Sequence, residues 1–103
     1  MLVKVTAEGR VLLDAPEDFR RFAVSIDPIA AARGLDREAL AGIGRQDGPE
    51  HIWISPETVC RLAAPADPAS WAEGFRRMLA YAAERGWVSA DGELRAHIEP
   101  ARP

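Results

Sequence analysis

Side chains able to do chemistry beyond packing are few in this chain: Cys60, the two histidines His51 and His97, and Trp53. Cys60 falls a little inside a helix expected over Pro56–Ala63, where a thiolate near the N-terminus can be acidified into a nucleophile. Nothing local supplies a base, and Cys60 adjoins the apolar stripe of Val59, Leu62 and Ala63, so the expectation is a packed, unreactive thiol. His51 and His97 sit on the polar phase of two expected strands, the first with Trp53 and Ser55, the second with Arg95 and Glu99. Pairing of those strands would bring the imidazoles together. With Glu50 or Glu99 they would then have the composition of a two-histidine, one-carboxylate metal triad. No H-x-H or H-E-x-x-H spacing enforces such a site, and no metal or other cofactor is expected.

Trp53 is the most informative of the four. Alternation along His51–Ile54 places Ile52 and Ile54 on one face and Trp53 with His51 on the other. The strand is therefore either buried on both sides, or Trp53 is a platform for a partner or ligand. Other motifs are weak. Gly42-Ile43-Gly44 lacks both a third glycine and a following Lys-Ser/Thr, so neither dinucleotide nor phosphate-loop binding is supported. Asp14 and Glu17, a pair of neighbouring carboxylates, are better explained as the capping box of a helix.

The elements that must position these residues follow from spacing. Leu2–Ala7 alternates and Val11–Leu13 is apolar, a hairpin with Gly9 in its turn. After Asp14-Ala15-Pro16-Glu17, the i, i+3, i+4, i+7 spacing of Phe19, Phe22, Ala23 and Ile26 predicts a helix over 16–26, although Phe22–Ile26 is also compatible with a strand. Asp27-Pro28 starts a short helix ended by Gly34, and Asp36 caps another over Arg37–Ala41. Three glycines and Pro49 make 42–50 a loop, the expected hinge of the chain. Ser55-Pro56 and Asp67-Pro68 each read as N-cap followed by N1.

The best-determined element is the amphipathic helix Trp71–Arg85. Trp71, Phe75, Met78, Leu79 and Ala82 share one face, flanked by Gly74 and Tyr81, while Glu73, Arg76, Arg77, Ala80 and Glu84 lie opposite. Gly86 suits a left-handed helix end and Trp87 can fold back on the last turn. Trp87–Ser89 and Glu93–Glu99 flank the turn Ala90-Asp91-Gly92, making 68–99 a helix-hairpin unit; Pro100–Pro103 reads as a tail. This unit resembles a winged-helix wing in architecture only, and Glu73 and Glu84 neutralise the helix face that would have to meet phosphates.

Composition bounds the rest. The chain has 103 residues, room for one core, and is 48% hydrophobic and 28% charged, which suits a globular domain rather than a disordered chain. Its net charge of −3 argues against nucleic acid and anionic membrane surfaces. A lone cysteine permits no internal disulfide, and the first ten residues show no secretory leader, so the cytoplasm is the expected location. Lys4 is the only lysine among 13 Lys and Arg residues, a bias typical of GC-rich bacterial genomes. The expected fold is a single α+β domain, a small, mostly antiparallel sheet with helices packed on one face. The expected function is a non-catalytic accessory or protein-interaction domain, self-associating through Trp53, His51, Tyr81 and His97. The alternatives are a small enzyme or small-molecule binder with a pocket at His51, Trp53, Cys60 and His97, and a winged-helix-like DNA-binding regulator.

Overall fold

The computed structural model describes residues 1–99; the tail expected at 100–103 lies outside them. Ten elements follow in the order β1 (Leu2–Val5), β2 (Val11–Asp14), β3 (Ala23–Ile26), α1 (Pro28–Ala32), α2 (Leu35–Ala41), β4 (Gly44–Asp47), β5 (His51–Ile54), α3 (Pro56–Ala63), α4 (Pro68–Glu84) and β6 (Leu94–Glu99). The strands form one sheet in the order β2-β1-β3-β6-β5-β4. The class is α+β, as expected, but the sheet is mixed rather than mostly antiparallel: β3 runs parallel to both β1 and β6.

The cause of that difference lies in 15–22, where the expected helix does not form. Ala15 adopts a left-handed conformation (φ 50°), and Asp14 ends β2 in an ion pair with Lys4 instead of capping a helix. The carbonyl groups that a helix would use internally are already engaged. The Trp71 indole N–H donates to the Pro16 carbonyl at 2.7 Å, and the Met1 nitrogen donates to the carbonyls of Asp18 and Arg21. Phe19 fills a notch in α4 at Gly74, where a Cβ would stand 2.3 Å from the phenyl ring. The segment thus returns across β1 as irregular chain, and Ala23-Val24-Ser25-Ile26 enters the sheet as a central strand. Its short apolar run is what a strand flanked on both sides requires.

The expected loop at 42–50 also contains a strand. Gly44–Asp47 pairs with His51–Ile54 across a three-residue turn in which Gly48 takes φ 73°. Its sequence, Gly-Arg-Gln-Asp, is that of a polar edge strand, which resists pairing with other chains and has no apolar alternation to betray it. Gly44 is required, because a Cβ there would meet the Trp53 carbonyl oxygen. The hairpin expected at 87–99 is only half regular. Val88 forms an isolated bridge to Leu94, and β6 lies in the middle of the sheet, between β3 and β5, rather than in a free wing.

Helix ends follow their signals closely. Ser55 accepts from the Thr58 N–H, and Asp67 accepts from the Ser70 N–H, each with proline at N1. Gly34 (φ 72°) serves as the cap of α2, so Asp36 lies inside the first turn instead of capping it. At the end of α4, Gly86 takes φ 79°, and the Trp87 N–H returns to the Ala82 carbonyl, satisfying an orphan acceptor.

The register decides which side chains share a face. Val3, Val5, Val24, Ile26, Ile52, Ile54, Leu94, Ala96 and Ile98 lie on one face and are all buried. They form a single apolar cluster with Ala30, Leu40, Val59, Trp71, Phe75, Met78 and Ala82, contributed by all four helices. Among the described residues, no helix is long and apolar enough to cross a membrane.

Candidate functional site

The same register assigns the opposite face of the sheet. Lys4, Ser25, Glu99, His97, Arg95, His51, Trp53, Arg45 and Asp47 lie on it, and none of these is buried. His51 and His97 are direct partners in the β5–β6 ladder, and their rings meet edge to face with centroids 5.4 Å apart. A close cross-strand pair of this kind follows from period-two alternation on two strands that become neighbours.

Trp53 stands one pair further along, opposite Arg95 on one side and Arg45 on the other. Both guanidinium carbons lie 5.9 Å from its ring centroid, close enough for the cations to interact with the aromatic face. Trp53 is therefore half-buried by the stems of two arginines rather than by the core, with which Ile52 and Ile54 pack from the other face. Glu93 holds Arg45 at 2.7 Å, and this hydrogen bond keeps the guanidinium protonated above its ordinary range. Arg95 makes a looser pair with Asp47, at 3.6 Å. Its Nε is shielded from solvent and has no hydrogen-bond partner among the described residues.

Next to the histidine pair is a cavity of about 280 Å³ lined by Phe22, His51, Trp87, Arg95 and His97. Trp87 is 44% exposed and packs edge-on against Tyr81, with centroids 6.2 Å apart. Tyr81, 50% exposed, is covered in turn by the Arg85 guanidinium at 4.8 Å. Two groups result, Arg45–Trp53–Arg95 on the sheet face and Trp87–Tyr81–Arg85 beside it, and the cavity lined by Arg95, the histidine pair and Trp87 lies between them. Known protein families, curated proteins and solved structures offer no match to this chain.

Of the residues singled out from the sequence, His51 and His97 line the cavity, Trp53 lies between the two arginines, and Tyr81 lies against Trp87. Trp87, Arg45 and Phe22 are not singled out as site residues by the sequence, and Arg95 is read there only as a companion of His97 on the polar phase of its strand. Trp87 reads from the sequence as part of the helix end, which it does close, and Arg45 lies within the stretch that reads as a loop. Of the two residues that flank the apolar face of α4, Gly74 is covered by Phe19, whereas Tyr81 is half exposed.

Cys60 does not join the site. It is exposed on α3 rather than packed, while its neighbour Val59 enters the core, and the cavity at the histidine pair is lined by neither Cys60 nor Trp53. Partial burial, reinforced by the Glu57 carboxylate, pushes the Cys60 thiol up and so away from the thiolate that nucleophilic chemistry needs. No three of His, Cys, Asp or Glu converge on one point among the described residues, so the histidine pair lacks the carboxylate of a facial triad. The arrangement can stack, donate hydrogen bonds and present guanidinium groups; it has no nucleophile paired with a base.

Proposed function

We propose that this chain is a non-catalytic interaction domain that associates with a second copy of itself. All four helices pack on the apolar face of the sheet, and the opposite face is the contact surface. The observation that carries the reading is the clustering of Trp53 between Arg45 and Arg95 on that face, with the exposed Trp87–Tyr81 pair beyond the cavity that Arg95 and Trp87 both line. Trp, Tyr and Arg are the residues that dominate binding energy at protein interfaces, because they cover much area at little conformational cost. Here they are clustered, held by one another and left open to solvent. Light scattering coupled to size exclusion tests the reading, with a dimer expected at micromolar concentration and a shift to monomer in Trp53→Ala. A wild-type protein that stays monomeric up to millimolar concentration overturns it.

A second reading, a small-molecule site, draws on the cavity at Phe22, His51, Trp87, Arg95 and His97. Its lining combines aromatic walls with several hydrogen-bond donors, as ligand pockets do. Imidazole resonances of His51 and His97 that do not move in a fragment screen would remove it.

A further inference from the structure

Across the open face from Trp53, at the C-terminal ends of the parallel strands β1 and β3, lies a groove of about 970 Å³. Its lining includes Glu8, Asp27 and Glu99 against the single ammonium of Lys4, which is itself engaged by Asp14 at 3.3 Å. Glu99 is held on one side by Arg21, Asp27 caps α1, and Glu8 has no ion-pair partner among the described residues. The groove is thus rich in acceptors. The Trp53 patch has the opposite character, with Arg45 and Arg95 offering up to five N–H donors each, of which the intramolecular carboxylates use few. His97 lies between the two regions and lines both the groove and the cavity at the histidine pair.

A surface whose two halves complement each other fits a second copy of itself, since a two-fold axis exchanges the halves and makes both contacts at once. Resting on the self-association proposed above, we infer that the Arg45–Trp53–Arg95 patch of one copy seats in the acidic groove of the other, and reciprocally, with the axis crossing the face near His97. Opposite charges brought together in this way fix register and discriminate against other pairings. Trp53 supplies the apolar contact between the two guanidinium groups, and Glu8 and Glu99 receive them.

Charge reversal tests the pairing. One full-length variant carries R45E and R95E, the other E8R and E99R; the single reversals R45E and E8R, both at exposed positions, serve if a double variant does not fold by circular dichroism. Each variant alone places like charges together and is expected to weaken dimerisation by about tenfold or more, measured by sedimentation equilibrium. Mixed in equal amounts they restore both contacts, and native mass spectrometry is expected to show the heterodimer as the main species. Variants that dimerise alone as tightly as the wild type overturn the seating while leaving self-association standing. A mixture that stays monomeric overturns the seating as well, and a monomeric wild type overturns both it and the reading on which it rests.

Discussion

Gly74→Ala is the sharpest test of how the chain is held together, because two effects of known sign compete there. Replacing glycine by alanine inside a helix ordinarily stabilises by about 1 kcal/mol. At this position the new methyl would lie 2.3, 2.7 and 2.8 Å from three atoms of the Phe19 ring, all well inside contact distance. The ring would have to retreat by an ångström or more, at an overpacking cost of about 1–3 kcal/mol. Its packing on Trp71, with centroids 6.0 Å apart, would be lost in part, at about 0.5–1 kcal/mol more. The clash outweighs the helix gain, so G74A should destabilise by about 1–2 kcal/mol. In a Phe19→Ala background the notch is empty, and the same substitution should stabilise by about 0.5–1 kcal/mol. The coupling between the two sites is then about 1.5–3 kcal/mol, far above the scatter of independent positions. Urea unfolding of the four proteins, followed by far-ultraviolet circular dichroism, reads it directly. If G74A stabilises both backgrounds equally, Phe19 does not fill the notch, and the account of why 15–22 fails to become helix is wrong.

Three further outcomes are expected. Ile52 and Trp53 are neighbours on opposite faces: Ile52→Ala should cost about 3 kcal/mol of stability, as a fully buried truncation does, whereas Trp53→Ala should cost about 1 kcal/mol and act mainly on association. Trp71→Phe keeps an aromatic side chain but removes both the donor to the Pro16 carbonyl and part of the buried indole volume, and should cost about 2–3 kcal/mol, with faster amide exchange in 17–22. A thiol-labelling rate for Cys60 should climb with pH to a midpoint above that of an unperturbed cysteine peptide measured alongside. Glu57→Gln should lower that midpoint and speed labelling at pH 8, because removing a neighbouring negative charge favours the thiolate. A wild-type midpoint at or below that of the peptide would contradict the assigned environment.

What could be read from the sequence was local. The caps at Ser55 and Asp67, the glycine-terminated end of α4 and the buried stripe of Trp71, Phe75, Met78 and Ala82 depend on residues within one or two turns, and the structure reproduces them. What escaped depends on distant partners. Phe19 and Phe22 have helical spacing, yet the carbonyls around them are claimed by Trp71 and Met1, more than a dozen residues away. β4 is polar because it is an edge, so periodicity had nothing to detect, and its absence removed Arg45 from view. Parallel pairing of β3 follows from the path of 15–22, so one misread segment altered the sheet from mixed to mostly antiparallel. The meeting of His51 and His97 was conditional on a pairing that alternation alone suggests but does not enforce, and the β5–β6 register supplies it.

The two faces of β5 also bear on the role proposed for Trp53 in self-association. A tryptophan needed for the core would lie with Ile52 and Ile54, where burial is complete and each side chain contributes its full transfer energy. On the other face, Trp53 gains only what the stems of Arg45 and Arg95 provide, and an exposed cation on an aromatic ring contributes about 0.5–1 kcal/mol. That is too little to matter for stability, but it orients the indole before any partner arrives. Holding three large side chains in one arrangement lowers the ordering cost of association, about 0.5–1.5 kcal/mol for each side chain that no longer has to be immobilised. Breaking the clamp while leaving Trp53 in place should therefore weaken self-association without unfolding the chain. Arg45→Ala, at an exposed edge position, is the substitution that separates the two effects.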